Sequence, residues 1–208
     1  MIVDEGQDFH RDWFDLLEGL LRDPAQGSLV IFNDPAQDIF GTGCKLPPYP
    51  ATILGVNFRN TRSIAGLLSG LTERAAAPFS RNPEGEQPVF HPQPSGAAAA
   101  ARAVDRLVED LVNEKHVPPG RITIIAPHTR ENSCLSGVDH LAGQRLSTDP
   151  LNRAGAVLCT TIHKFKGLES DVVILVDVRS DDLFCGRAFL YTAAARARVL
   201  LHVFEVKG

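Results

Sequence analysis

The sequence predicts an α/β fold built on a parallel sheet, and three observations carry that prediction. Short apolar runs recur along the chain, at Ile2-Val3, Ser28 to Phe32, Ile122 to Ile125, Ala156 to Ile162, Val172 to Val176 and Val199 to Val206. They are continuous rather than alternating, as expected of strands buried on both faces. Segments with helical periodicity fall between them, giving strand–helix–strand order.

The elements follow in order. Ile2-Val3 reads as the end of a buried strand that runs into the acidic cluster Asp4-Glu5-Gly6-Gln7-Asp8. His10 to Arg22 is an expected amphipathic helix with Trp13, Leu16, Leu17, Leu20 and Leu21 on one face, broken by Gln26-Gly27. Ser28 to Phe32 is a strand ending in the turn residues Asn33-Asp34-Pro35. The Gly- and Pro-rich stretch Gly41 to Pro50 marks an expected boundary, dividing the chain into residues 1–45 and 46–208. Thr61 to Arg74 is helical, and Pro78 to Gly96 suits a connector. Ala97 to Glu114 is a helix that turns Val104, Leu107, Val108 and Leu111 inward and stops at Pro118-Pro119-Gly120. A last helix spans roughly Gly186 to Ala197.

Composition excludes several classes. Hydrophobic residues make up 44% of the 208, and no apolar run approaches the length that spans a bilayer. The start has neither a basic nor an apolar leader segment, so no secretory signal is expected. Cys44, Cys134, Cys159 and Cys185 are scattered without C-x-x-C spacing, which fits a reducing, cytoplasmic setting better than a zinc site or a disulfide scaffold. A net charge of −4 gives no global basic footprint, so any nucleic acid must be held by a local groove.

Asp4-Glu5 at a strand end places two carboxylates where one can hold Mg²⁺ and the other polarise an attacking water, although an acidic pair alone is more often a solvated turn. Its surroundings change the weight of that pair. Val3-Asp4-Glu5-Gly6-Gln7-Asp8-Phe9 resembles motif II, the Walker B motif, of superfamily 1 helicases of the UvrD/Rep type. In the same order, Phe32 to Phe40 resembles motif III, Asn57-Phe58-Arg59-Asn60-Thr61 motif IV, Thr161 to Glu169 motif V, and Leu190 to Arg198 motif VI. The resemblance covers nearly the whole chain. It departs from the family pattern at Gly6 for Ala, Asn33 for Gly, Phe58 for Tyr and Ala195 for Thr.

The resemblance implies a RecA-like fold, of the kind found in P-loop NTPases, with helices on both faces of the sheet and no large accessory domain. Residues 1–45 would be the C-terminal remnant of a first RecA-like domain, carrying motifs II and III. Residues 46–208 would form a second such domain, carrying motifs IV to VI. It implies ATP and Mg²⁺ as cofactors, with Asp4 on the metal, Glu5 as the catalytic base and Gln37 as the γ-phosphate sensor. Arg59 and Arg196 would approach the γ-phosphate, where guanidinium pairs suit the charge on transferring oxygens. Phe58 would stack on adenine, although a core phenylalanine would read the same way. Glu169 would accept from the ribose beside Gly167, and Thr161 and His163 would touch nucleic-acid phosphates. The implied activity is ATP-driven 3′–5′ movement on single-stranded DNA, with RNA as the alternative track.

One part of the pattern is missing from these 208 residues. No G-x-x-x-x-G-K-[ST] phosphate loop occurs; Gly41-Thr42-Gly43-Cys44-Lys45 has neither its spacing nor its place in the order. The chain alone is therefore expected not to hydrolyse ATP, and its expected partner is the N-terminal helicase half, in cis or in trans. The competing readings are one subunit of a split ATPase, or a non-catalytic module that binds nucleic acid or protein on a helicase-like fold.

Overall fold

The computed structural model describes the chain except residues 22, 24–26, 44, 74, 152–153, 180–185 and 207–208. The expected helix ends at Arg22 and Arg74, the breaker Gln26, and Cys44 and Cys185 lie outside the described residues. Two compact units are present, Met1–Leu54 and Gly55–Gly208.

In the first unit, β1 (Ile2–Val3) pairs in parallel with β2 (Val30–Ile31), with Ile2 opposite Val30. Between them runs α1 (Arg11–Gly19). This helix is amphipathic, but the apolar side chains are not where the periodicity puts them. Phe14 is buried, stacked on Phe9 at 5.6 Å, whereas Trp13, Leu16 and Leu20 are exposed. Two strands give a helix too little sheet to cover, so among the described residues most of its apolar face is left exposed.

The second unit holds the main core. In chain order it contains β3 (Val56–Asn57), α2 (Arg62–Leu71), β4 (Ala77–Pro78), β5 (Val89–Pro92), α3 (Ala97–Glu109), β6 (Ile122–Ala126), β7 (His140–Leu141), β8 (Gln144–Ser147), β9 (Val157–Thr161), α4 (Ile162–Phe165), β10 (Ser170–Val178), α5 (Arg187–Ala194) and β11 (Ala197–Glu205). Seven strands form a sheet in the order β5-β11-β10-β6-β9-β8-β7, parallel throughout except for the β7–β8 hairpin. The pair β3–β4 stands apart from it.

Both faces of this sheet are covered. On one, Ala100, Val104 and Val108 of α3, and Leu111 just beyond it, pack with Ile122, Ile124, Val172 and Ile174. On the other, α2, α4 and α5 bury Ile64, Leu68, Phe165 and Phe189, and Val173, Leu175 and Val203 are buried as well. Every position of β6 is therefore buried, which is why the strand reads as an unbroken apolar run. No large accessory domain is present among the described residues.

The stretch expected to be a connector contains the edge strand β5. Gln93 N–H donates to the Glu205 carbonyl of β11, so residues of the same parity face the sheet. Pro88, Pro92 and Pro94 fall on the other parity, where an edge strand needs no donor. The prolines that disguise this strand in the sequence also blunt it against pairing with another chain.

Candidate functional site

The acidic end of the first unit is organised by Gln7, a buried side chain that the motif reading passes over. Its Nε2 donates to Glu5 Oε2 at 2.5 Å, and its Oε1 accepts from the backbone N–H of Asp34 at 2.9 Å. One glutamine thus ties the motif II carboxylate to the motif III turn. Glu5 itself sits at φ +53°, a left-handed conformation unusual for a side chain of this kind. Asp4 is exposed, and its Oδ1 accepts from the Glu5 N–H at 2.9 Å. Asp34 caps the turn at Pro35–Gln37 through Ala36 N–H, and Gln37 Nε2 donates to Asp34 Oδ2 at 2.7 Å. Glycine at position 6 has a local reason: a Cβ there would lie 2.5 Å from Ile31 Cγ2.

The second unit brings motifs IV and VI together through Asn60, another residue to which the motif pattern gave no role. Its side chain is buried, and Nδ2 donates to the carbonyls of Ala195 (3.2 Å) and Ala197 (2.5 Å), the two residues that flank Arg196. Asn60 Oδ1 accepts from Asn57 Nδ2 at 2.7 Å, and Thr61 N–H donates to the Arg198 carbonyl at 3.1 Å. Asn82 closes the loop by donating to the Asn60 carbonyl at 2.9 Å. Gly85, at φ +74°, packs so closely that a Cβ would fall 2.5 Å from Thr61 Cβ. The loop at 83–84 also supplies carbonyls to the Arg62 and Ser63 N–H groups, satisfying donors at the start of α2.

Arg59, next to Asn60, meets motif V here: its Nε lies 3.0 Å from Glu169 Oε2. Arg198 Nη1 takes the other Glu169 oxygen at 3.5 Å and reaches Asp171 at 3.7 Å, and Arg121 pairs with Asp171 at 3.1 Å. Arg196 differs from these half-exposed arginines. It is 2% exposed, the largest fully buried side chain described, and its carbonyl accepts from the Ser170 N–H at 3.0 Å. The ring of Phe58 is 66% exposed and lies against Phe79, with centroids 4.5 Å apart. A core role for Phe58 is thereby excluded. Gly167 is accounted for by φ +79°, with open space where a Cβ would stand, so its own backbone and not a crowding neighbour calls for glycine.

Thr161 and His163 do not join this group. Thr161 ends β9 and accepts from Lys164 N–H at 3.4 Å as the cap of α4, and His163 is exposed. In the parallel register Thr161 is level with Ala126, whereas Glu169 precedes the first residue of β10. The two ends of motif V are therefore roughly 20 Å apart along the strand direction, at about 3.3 Å per residue. Motif V spans the sheet, with its carboxylate on the edge of Arg59 and its threonine and histidine on the opposite edge. Among the described residues, no group of three or more His, Cys, Asp or Glu side chains could hold a metal ion.

Residues 156–204 match the family model of the UvrD-like helicase C-terminal domain. This segment is thus similar to the C-terminal domain of UvrD-like helicases. A similar solved structure is the C-terminal domain of a possible DNA helicase from Lactobacillus plantarum. It is 21% identical, with a TM-score of 0.50, over 72% of this chain and 88% of that one. No curated protein matches the sequence. The matched segment runs from β9 through β11 and so contains Thr161, His163, Gly167, Glu169 and Arg196. No helix among the described residues is long and apolar enough to cross a membrane.

Proposed function

We propose that the chain is the C-terminal part of an ATP-dependent DNA helicase or translocase that moves 3′–5′ on single-stranded DNA. The observation that carries this reading is the Asn60 bracket. It fixes the backbone on both sides of Arg196, adjoins Arg59 in sequence and sets that arginine against Glu169. Two arginines from separate motifs held in one frame with a carboxylate suit a nucleotide whose phosphates face the guanidiniums and whose ribose faces Glu169. The exposed Phe58 ring offers a face to the base.

In the first unit, an exposed Asp4 is the kind of single protein ligand that Mg²⁺ takes when phosphates complete its shell. Bound Mg²⁺ would neutralise phosphate charge. Glu5, oriented by Gln7, would take the proton of the attacking water, and Gln37 would report the γ-phosphate to the turn at Asp34. The half-exposed Arg59 and the buried Arg196 would stabilise charge on the transferring oxygens. Thr161 and His163, on the far edge of the sheet, would meet the nucleic-acid backbone. Motif V would then couple the two edges.

The partner is a polypeptide segment carrying the phosphate loop and the remaining strands of the first sheet. The exposed parallel pair β1–β2, with Ile2 73% exposed, supports this, because parallel strands need neighbours and cover on both faces. The test is DNA-stimulated ATP hydrolysis by the complete polypeptide that contains both halves. Arg59→Ala is expected to lower kcat about a thousandfold, the scale of an arginine that stabilises the transferring phosphate. Unchanged turnover in both Arg59→Ala and Glu5→Gln would overturn the reading.

A further inference from the structure

The arginine edge of the second unit is a ladder of alternating charge, Arg59–Glu169–Arg198–Asp171–Arg121, with three guanidiniums against two carboxylates. Glu169 is its second rung, with one oxygen on Arg59 and the other on Arg198. We propose that Glu169 is a specificity gate, a carboxylate that occupies Arg59, one of the two phosphate-facing arginines of the proposed half-site, until a ribose engages it. This rests on the reading of the edge as a nucleotide half-site.

Arg59 cannot serve Glu169 and a phosphate equally well, since both want the same planar donors. All the side chains of the Arg59–Glu169–Arg198 cluster are about half exposed. Exposed pairs of this kind are weak, so the contact can be exchanged rather than locked. A nucleoside triphosphate brings hydroxyl donors for Glu169 and phosphate oxygens for the guanidiniums, so both halves of the broken pair find new partners. A bare polyphosphate, or a stretch of nucleic-acid backbone, brings only negative charge. It must displace Arg59 from Glu169 while facing the carboxylate it has left unpaired. The gate therefore favours a nucleoside triphosphate over phosphate chains lacking a positioned sugar.

The experiment uses this chain in solution, with tripolyphosphate and ATP as probes, followed through the amide resonances of Ser170 and Ala197 at the start of β10 and β11. In Glu169→Gln the tripolyphosphate affinity is expected to rise about fivefold, the size of one charge–charge interaction across about 4 Å of water. ATP is expected to change by less than about twofold, because glutamine still offers a carbonyl to the ribose while the lost repulsion offsets the weaker acceptor. Tripolyphosphate affinity that is unchanged or lower in Glu169→Gln would overturn the gate, as would an equal gain for both probes. Arg59→Ala separates this from failure of the half-site. ATP binding lost in Arg59→Ala upholds the half-site whatever Glu169→Gln shows, and ATP binding unchanged there removes the half-site and the gate with it.

Discussion

The two units use the same grammar with different amounts of material. In the second, seven strands are covered on both faces, and the central strands β6 and β10 are buried almost end to end. In the first, two parallel strands carry one helix whose residues Trp13, Leu16 and Leu20 face outward. A parallel sheet gains stability by burying both faces, and two short strands cannot do so. The second unit is therefore expected to hold its fold unaided. The first holds its motif residues in place mainly by polar ties through Gln7 and Asp34.

The comparison breaks most easily at the cores. Phe165→Ala, which empties a fully buried site, is expected to cost the second unit about 3–5 kcal/mol. Leu16→Ala in the first unit, at a residue 65% exposed, is expected to stay within about 0.5 kcal/mol. Urea titrations check both, and the single tryptophan sharpens them. Trp13 belongs to the first unit, so its fluorescence should change at lower urea than the far-ultraviolet circular dichroism. Coincident transitions would contradict the separation.

An intermediate effect is expected at the histidine pair on β5 and β11, where His91 Nε2 lies 3.1 Å from His202 Nδ1. Burial, aided by the charges of His91 and Lys115, lowers the His202 pKa to about 4, and burial lowers that of His91. Above the ordinary histidine pKa both rings are neutral in the folded and unfolded chain, and stability is unaffected. As pH falls from about 6.5 towards 4, the unfolded chain takes up protons that the folded one refuses, so stability falls, by an expected 2–3 kcal/mol or so for His202. Thermal melts of wild type and His202→Phe across that range should diverge on the acid side; parallel curves would assign the loss elsewhere.

Asn60→Ala leaves the carbonyls of Ala195 and Ala197 without their donor and is expected to cost about 2 kcal/mol in the same urea assay. Gly6→Ala is expected to cost less, about 1 kcal/mol, through the contact it forces on Ile31. Its loss should show in the Trp13 transition and leave the second unit's untouched.

Much of this was legible in the sequence because the second unit is conventional in its burial. The run Val172 to Val176 lies inside β10, and Val104, Val108 and Leu111 do face the core. The edge strand β5 was not legible, because its prolines sit on the parity that faces away from the sheet, a distinction invisible without the register. The face of α1 misled for the opposite reason: its periodicity is real, but among the described residues Trp13, Leu16 and Leu20 are left exposed. Residues with distinctive chemistry, such as Arg59 and Glu169, stood out by pattern, and the structure brings them within 3.0 Å. Gln7 and Asn60 did not stand out, since an amide's value lies in which carbonyls and carboxylates surround it once the chain has folded. The separation of Thr161 from Glu169 was equally hidden, because a motif continuous in sequence crosses the full height of a sheet.

The most direct test of the account is ATP hydrolysis by the 208-residue chain itself, with Mg²⁺ and single-stranded DNA present. On the proposed reading, the arginine edge and the acidic pair would act only with the phosphate loop that positions the substrate, and these 208 residues have no such loop. No turnover above that of buffer is expected. DNA-stimulated turnover that disappears in Glu5→Gln would contradict it.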